Sequence, residues 1–179
     1  MIETARLILR PWRKADLPAW TAMMTDPEVG RWLGGPFSPE AAEEGFRQAA
    51  AIVAGDGYGM WAAERKSDGA VIGSIGVRRV RPEWNHPLSG STELGWRLAR
   101  PAWGAGYASE GAAAALAWAW ANLPVDEIVA FTAVPNVRSQ AVMKRLGMIR
   151  EPLRDFDHPA LAPDHPLRRH LVFGIARPR

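Results

Sequence analysis

The stretch Leu98-Ala99-Arg100-Pro101-Ala102-Trp103-Gly104-Ala105-Gly106-Tyr107-Ala108-Ser109 joins an extended segment, 92–98, to a long alanine-rich segment, 107–122, with helical character. A glycine turn that leads into a helix can bind an anion, because the first amides of the helix have no intrahelical partner and the helix dipole favours negative charge. Glycine also allows close approach to the main chain and a positive φ. The stretch therefore predicts a pyrophosphate site.

Two common phosphate loops do not fit this stretch. The chain contains no Gly-x-x-x-x-Gly-Lys-Ser/Thr string, which excludes a P-loop. Gly104-Ala105-Gly106 followed by Ser109 does not complete the Gly-x-Gly-x-x-Gly fingerprint of dinucleotide-binding proteins. Taken alone, a Gly-x-Gly turn is equally well explained as a strand-to-helix connection that is tight for packing reasons.

The spacing Trp103-x-x-Gly106-x-Ala108 resembles the acetyl-CoA loop of the GNAT N-acetyltransferases, whose pattern is Gln/Arg-x-x-Gly-x-Gly/Ala. Trp103 departs from that pattern at the first position. With this departure, Trp-Gly-x-Gly-Tyr-Ala-x-Glu resembles the branch that acetylates ribosomal-protein N-termini, together with its small-molecule relatives. A second block, 136–148, resembles the family's later Asn-x-x-Ser...Lys-x-Gly-Phe motif and follows in the same order.

The amino-acid composition limits the classes of protein to which this chain can belong. With 179 residues and 47% hydrophobic content, the chain is predicted to form a single domain, 1–179, with an ample core. It has no cysteine, which excludes disulfides and a cysteine acyl-enzyme and suits a cytoplasmic location. The longest apolar run, 112–121, is too short for a membrane span. A net charge of +3 that is scattered along the chain argues against nucleic acid and suits an anionic ligand such as coenzyme A.

Hydrophobic patterns predict the elements of the fold. Strands are expected at 4–10, 59–64, 71–77, 92–98, 128–133 and 170–176, with an extended piece at 148–151, and helices at 16–24, 39–54, 107–122 and 139–146. Thr25-Asp26-Pro27 is expected to end the first helix. This order predicts an α/β (α+β) three-layer domain with a mixed, largely antiparallel six- to seven-stranded sheet and helices on both faces. The resemblance implies the same acyl-CoA N-acyltransferase fold.

The resemblance also implies direct transfer of acetyl from acetyl-CoA to a primary amine, with no metal. In the family, the strand before the loop pairs with the pantetheine arm, a role that falls here on the backbone at two positions of 92–98. The residues expected to contact coenzyme A are Trp96, Leu98, Trp103, Gly104, Ala105, Gly106, Tyr107, Ala108, Asn136, Ser139 and Lys144. For Lys144, a solvated helix charge is an equally good explanation, and a helix cap explains Asn136 well.

The acceptor amine must be neutral before it can attack. At pH 7 this costs roughly 4.6 kcal/mol for a lysine amine but roughly 1.2 kcal/mol for an α-amine, so an α-amine needs little help. Glu93, on the strand beside the thioester, is the first candidate base, although a charge on a sheet face is an equally common explanation. Asp157 and His158 are second candidates, and His158 is better explained as an ordinary loop residue.

Ser139 is the candidate that protonates or stabilises the departing thiolate, because it matches the serine of the family motif. General-acid help of this kind contributes roughly 10²–10⁴-fold. The alternative is a first-turn helix serine bonded to the backbone. The acceptor pocket is expected to be lined by Trp32, Trp84, His86 and Asp157. Glu110, in the first turn of the alanine-rich helix, is expected to be structural and to point away from a pyrophosphate.

Three functions stay open from the residues alone. The first is an N-acetyltransferase acting on a small molecule or a protein N-terminus. The second is a non-catalytic acyl-CoA-binding sensor on the same fold, favoured by Trp103 at the motif position that is normally Gln or Arg. The third is a nucleic-acid or ribosome-associated protein, supported only by the pI of about 9.8. The sequence also leaves a homodimer open.

Overall fold

The computed structural model describes residues 1–80 and 87–178. Its strands are β1 (Ile2–Glu3), β2 (Leu7–Arg10), β3 (Met60–Arg65), β4 (Val71–Arg79), β5 (Thr92–Leu98), β6 (Glu127–Ala133), β7 (Ile149–Arg150), β8 (Phe156–Asp157) and β9 (Arg169–Ala176). Its α-helices are α1 (Leu17–Thr25), α2 (Pro27–Gly30), α3 (Pro39–Asp56), α4 (Tyr107–Asn122) and α5 (Val137–Arg145). The predicted positions of the long elements are confirmed to within a few residues.

The strands form one mixed sheet in the order β1-β2-β3-β4-β5-β6-β9-β7, with β8 paired to β9. All pairs are antiparallel except β5 with β6, which is parallel. The prediction of a mixed, largely antiparallel sheet is therefore confirmed. The described part of the chain has nine strands where six to seven were expected, and β1, β7 and β8 are two residues long. Strands of that length carry too few residues to show an alternating pattern.

Helix α4 covers one face of the sheet and forms the main core with it. Ala112, Ala115 and Ala119 are fully buried against strand residues such as Leu7 and Ile75. A Cβ placed on Gly111 would lie 2.5 Å from Cδ1 of Ile75, closer than real Cβ atoms come to another atom. The small residues of α4 therefore let the helix sit directly on the sheet.

Helices α1 to α3 pack on the opposite face. Leu94 and Leu98 of β5 belong to the core beneath α4, so the alternation of the strand turns Arg97 to the other face. There Arg97 reaches Met24 of α1, which belongs to a second cluster. The members of that cluster come from α1, α2 and α3: Trp20, Met23, Met24, Val29, Ala42 and Phe46. The sheet is thus covered on both faces, as predicted.

A buried ion pair connects β2 to the turn before α1. Arg10 donates to both carboxylate oxygens of Asp16, at 2.7 and 2.9 Å, and also to Glu64 at 2.5 Å. The amide of Arg13 donates to the same Asp16 carboxylate at 2.7 Å. Burial raises the pKa of Asp16, but the hydrogen bonds from Arg10 and Arg13 outweigh burial, so the net pKa is lowered.

Helix α2 corrects one expectation from the sequence. Helix α1 does end at Thr25, but Thr25-Asp26-Pro27 also begins a new helix. The Asp26 side chain accepts from the amide of Glu28 at 2.8 Å, and Pro27 occupies the first helical position. Asp followed by Pro favours a helix start as much as a helix stop, and a four-residue helix shows no apolar periodicity.

Candidate functional site

Strand β5 has an open edge beside β6. The two strands share a single registered pair, Glu93 with Val129. The amide of Ala99, just after β5, donates to the carbonyl of Ile72 on β4. Because main-chain groups alternate along a strand, those of Trp96 and Leu98 point to the opposite edge, toward β6. An extended polar ligand can pair with β5 there, which is the role the resemblance assigns to Trp96 and Leu98.

The glycine bend after β5 is bare and faces outward. Gly104 and Gly106 have φ values of 76° and 82°, which favour glycine. A Cβ on Gly104 would meet no atom within 4 Å, and a Cβ on Gly106 would meet only Nη2 of Arg6, at 3.4 Å. Gly106 is the N-cap of α4, and no side chain caps that helix end. The amides of Tyr107 and Ala108 are therefore available to an anion, and the bend fits a diphosphate.

Arg6 supports the bend from the first strands of the sheet, a role that the sequence did not reveal. Its Nη1 donates to the carbonyl of Ala105 at 2.9 Å, and its guanidinium carbon lies 4.6 Å from the centre of the Tyr107 ring. Its Nε donates to Glu110 at 2.6 Å, and Thr4 donates to the same carboxylate at 2.5 Å. The Glu110 carboxylate is thus engaged by structural partners, in keeping with its predicted role.

Trp103, which departs from the family motif, has a structural role at the end of β5. Its indole Nε1 donates to the carbonyl of Leu98 at 2.8 Å, so the ring fixes the end of β5 to the loop. This bond occupies the Leu98 carbonyl and leaves the Leu98 amide for a ligand. The guanidinium of Arg138 lies 5.3 Å from the Trp103 ring centre, a cation–π contact that brings a basic group to this position from α5.

The start of α5 lies on the same side. The Asn136 side-chain oxygen accepts from the amide of Ser139 at 3.3 Å, so Asn136 acts as the helix cap. The hydroxyl of Ser139 is half-buried and makes no hydrogen bond to any residue of 1–80 or 87–178. It is therefore free to meet a ligand. Lys144 is exposed about two turns further along α5.

Glu93 lies on the face of β5 opposite α4 and is only 8% exposed. One of its oxygens, Oε2, accepts from Nε of Arg78 on β4 at 2.7 Å. The other, Oε1, lies 3.6 Å from where a Cβ on Gly95 would be. The Sδ and Cε atoms of Met60 lie 3.3 Å from the same position, so Oε1 of Glu93 and the flexible Met60 side chain together border Gly95.

His158 lies close enough to Glu93 to be affected by its charge, and a second histidine, His170, which the sequence did not single out, lies next to His158. The rings of His158 and His170 are 5.0 Å apart. Burial lowers the pKa of His158, and the charge of Glu93 partly opposes that effect. Burial also lowers the pKa of His170, with a smaller opposing effect from its hydrogen bond to Arg168. His158 lies in a loop directly after β8, where it is half-buried.

Asp157 is exposed, and Arg168 and Arg169 lie 3.5 and 3.3 Å from its carboxylate. A carboxylate in these two ion pairs is a poor candidate for a base. Trp32 follows α2 and lines a cleft of about 410 Å³, whose other lining residues are Arg31, Gly34, Gly35, Pro135, His165, Pro166 and Leu167. A neighbouring depression joins Trp32 to Trp103 and Arg138. Trp84 and His86, also expected in the pocket, lie outside the described residues.

Within residues 1–80 and 87–178, no three acidic or histidine side chains are arranged to hold a metal ion. In that same part of the chain, none of the helices combines the length and apolar character needed to cross a membrane.

Comparisons with known proteins point to the same family as the geometry of the site. A family model described as an acetyltransferase (GNAT) domain matches residues 6–149. The FsC-acetyl coenzyme A-N(2)-transacetylase of Aspergillus fumigatus is 30% identical over 155 residues, which span 82% of this chain but 64% of that protein. The chain thus covers slightly less than two thirds of that relative.

Solved structures agree on the fold. An acetyltransferase of the GNAT family from Bacillus anthracis superposes with a TM-score of 0.80 at 21% identity, covering 98% of both chains. RimL, the ribosomal L7/L12 α-N-protein acetyltransferase solved with coenzyme A, superposes with a TM-score of 0.76 at 16% identity, covering 97% of this chain and 95% of its own. At these identities the likeness concerns the fold.

Proposed function

The chain belongs to the GNAT acetyltransferase family, and from this premise we propose that it transfers acetyl from acetyl-CoA directly to a primary amine. The observation that carries the proposal is the bare bend at Gly104 and Gly106, which opens at the uncapped start of α4 next to the free edge of β5. A diphosphate at the bend and an extended arm along β5 are what coenzyme A requires.

In this proposal the chain holds acetyl-CoA mainly through its backbone. The amides of the α4 start receive the diphosphate, where the helix dipole adds to their hydrogen bonds. The main-chain groups of Trp96 and the amide of Leu98 receive the pantetheine arm. Arg138, over the Trp103 ring, adds positive charge beside the bend. When bound, acetyl-CoA supplies a thioester carbonyl as the electrophile.

Glu93 is the proposed base for the acceptor amine. Its Oε1 lies next to Gly95 and takes the proton directly or through one water. The ion pair with Arg78 holds the carboxylate in position. His158 is the alternative proton acceptor, because burial keeps its imidazole neutral at pH 7. Asp157 is a weaker candidate for this role because it lies on the exposed surface and is paired there with two arginines.

Ser139 is the proposed donor to the departing thiolate. Its hydroxyl is half-buried on the first turn of α5 and is not used in the helix cap, in which only its amide takes part. The acceptor is a small molecule or a protein N-terminus, and the ribosomal-protein branch is one form of this proposal. We expect the protein to work in the cytoplasm as a single domain.

The proposal is tested with purified protein, acetyl-CoA and a panel of primary amines, by following release of the free thiol. We expect amine-dependent thiol release and a rise in the unfolding temperature on adding acetyl-CoA. A rise in unfolding temperature without thiol release from any amine would favour the acyl-CoA sensor. Absence of both effects would refute the proposal.

A further inference from the structure

Arg97 is a guanidinium on the acceptor side of the site, and no carboxylate among the described residues forms an ion pair with it. Within residues 1–80 and 87–178, its side chain makes one hydrogen bond, from Nη1 to the thioether sulfur of Met24 at 3.2 Å. A thioether is a weak acceptor. The buried Arg10, by contrast, is matched by two carboxylates, those of Asp16 and Glu64. Arg97 therefore keeps most of its hydrogen-bonding capacity unused.

The charge of Arg97 is not compensated by its surroundings. Burial and, to a smaller extent, the positive charge of Arg78 lower the pKa of Arg97, Glu93 partly opposes them, and the net pKa is about 10. Arg97 nevertheless stays protonated at pH 7. The Glu93 carboxylate is engaged by Arg78 at 2.7 Å. An arginine buried without a matching carboxylate is costly, and such groups are concentrated at functional sites.

Arg97 and Glu93 face the same space. Glu93, Gly95 and Arg97 occupy alternate positions of β5, so their Cβ directions lie on one face of the sheet. Neighbouring positions on that face are about 6.8 Å apart. Gly95 stands between the two charges and has no side chain. The acceptor side of β5 thus presents a carboxylate oxygen and a guanidinium on either side of Gly95, and the flexible side chain of Met60 lies against that glycine, with its Sδ and Cε 3.3 Å from where a Cβ would be.

From this arrangement we propose that the acceptor is an amino-acid-like molecule, a primary amine whose own carboxylate binds Arg97. This proposal rests on the proposed function and narrows it to one substrate class. The guanidinium binds the carboxylate through two parallel hydrogen bonds, and the amine lies next to Gly95 and the Met60 side chain, within reach of Oε1 of Glu93. Polyamines are excluded because a second cation would meet Arg97 and Arg78.

The test compares amino acids with their carboxamides in the wild type and in Arg97→Met, with acetyl-CoA present in both. The panel contains α-amino acids and short ω-amino acids. We expect the acid-to-amide ratio of kcat/KM to fall by about a hundredfold in Arg97→Met, because a buried charge pair has lost one partner. Amino acids and their carboxamides differ in amine pKa, which affects kcat/KM in both proteins alike. Dividing the acid-to-amide ratio of the wild type by that of Arg97→Met cancels this effect. Arg97→Lys should recover part of the preference, and Arg47→Met, on the exposed face of α3, should not change it.

A binding measurement covers the case in which turnover is slow. Calorimetry of the protein saturated with coenzyme A is run with N-acetylated amino acids and with the corresponding N-acetylated carboxamides. We expect the acids to bind more tightly in the wild type and equally in Arg97→Met. Equal ratios in both proteins, no preference for acids in binding, or turnover confined to amines without an anionic group would overturn the proposal. If the wild type does not bind coenzyme A, the proposed function is refuted instead.

Discussion

At the scale of single residues, Gly106 is the position where bulk and charge should matter most. Replacing it with Asp places a carboxylate in the proposed diphosphate site and forces a non-glycine residue to φ 82°. We expect Gly106→Asp to abolish the rise in unfolding temperature that acetyl-CoA produces in the wild type. Differential scanning fluorimetry with and without acetyl-CoA measures this directly.

Gly57 offers a matched control for that variant. It is the C-cap of α3, with φ 77°, and a Cβ there would meet no atom within 4 Å. Gly57→Asp therefore carries the same strain and the same charge, with a stability cost of about 1 kcal/mol in each case. It should keep the full response to acetyl-CoA. A normal response in Gly106→Asp would remove the bend from the binding site.

Ser139→Ala should slow turnover and leave acetyl-CoA binding intact. The hydroxyl makes no hydrogen bond to the described residues, and the helix cap uses only the Ser139 amide. We expect kcat to fall by roughly a hundredfold, at the low end of general-acid effects. Steady-state kinetics and calorimetry separate the two quantities. Ser139→Thr, which keeps a hydroxyl, should recover most of the rate, whereas an unchanged rate in Ser139→Ala would exclude the role.

Local pattern made the bend and the start of α5 predictable, because both depend on neighbours in sequence. Gly104, Gly106 and Asn136 have the local roles that the sequence indicated. Arg6 and Arg97 could not be assigned in this way. Arg6 reaches Ala105 from across the fold, and the missing partner of Arg97 becomes visible only once β4, β5 and α1 are in place.

At the scale of elements, the contact between β2 and the turn before α1 depends on Asp16. Asp16→Asn removes the charge that Arg10 needs and leaves a buried guanidinium with Glu64 alone. We expect the free energy of unfolding to fall by about 3 kcal/mol, since breaking a buried ion pair costs more than the pair contributes. Urea denaturation followed by tryptophan fluorescence measures the change.

Asp68→Asn is the control for that substitution. Asp68 also bonds an arginine, Arg65, but the pair lies on the surface in the β3–β4 turn. Exposed pairs contribute little because solvent screens them. The stability of Asp68→Asn should match that of the wild type. Equal losses in both variants would mean that burial of the Arg10 pair has no special role.

The long elements were predictable because each displays a full period of its hydrophobic pattern. Helix α4 is preceded by Gly106 and is apolar on nearly every side, so its burial could be predicted from its sequence. Helix α2 and strands β1, β7 and β8 were missed or only partly foreseen. They are two to four residues long, and their conformation is set by partners such as β9 rather than by their own residues.

At the scale of the whole molecule, two buried histidines make folding sensitive to mild acid. Burial lowers the pKa values of His158 and His170 in the folded state below the unfolded value of about 6.5. Between the folded and unfolded pKa values, the unfolded chain binds more protons, so stability rises with pH in that window. The stabilisation is complete above about pH 6.5 and is lost as the pH falls through the folded pKa values.

The urea midpoint should therefore drop between about pH 7 and pH 5. His170→Phe, which keeps an aromatic ring next to Phe156, should flatten that drop. His165→Phe, in the C-terminal loop, serves as the control and should keep the wild-type slope. An equally steep decline in His170→Phe would show that other groups control the acid response.

The close contact between Gly111 and Ile75 connects packing in the core to the position of the anion-binding amides at the surface. Helix α4 lies directly on the sheet at Gly111, and this contact helps to position its first amides for a ligand. A methyl group added at Gly111 would push α4 away from the sheet and move the amides at its N-terminus out of position. Small changes in the volume of these buried residues would thus weaken binding of the diphosphate, although the residues do not contact it.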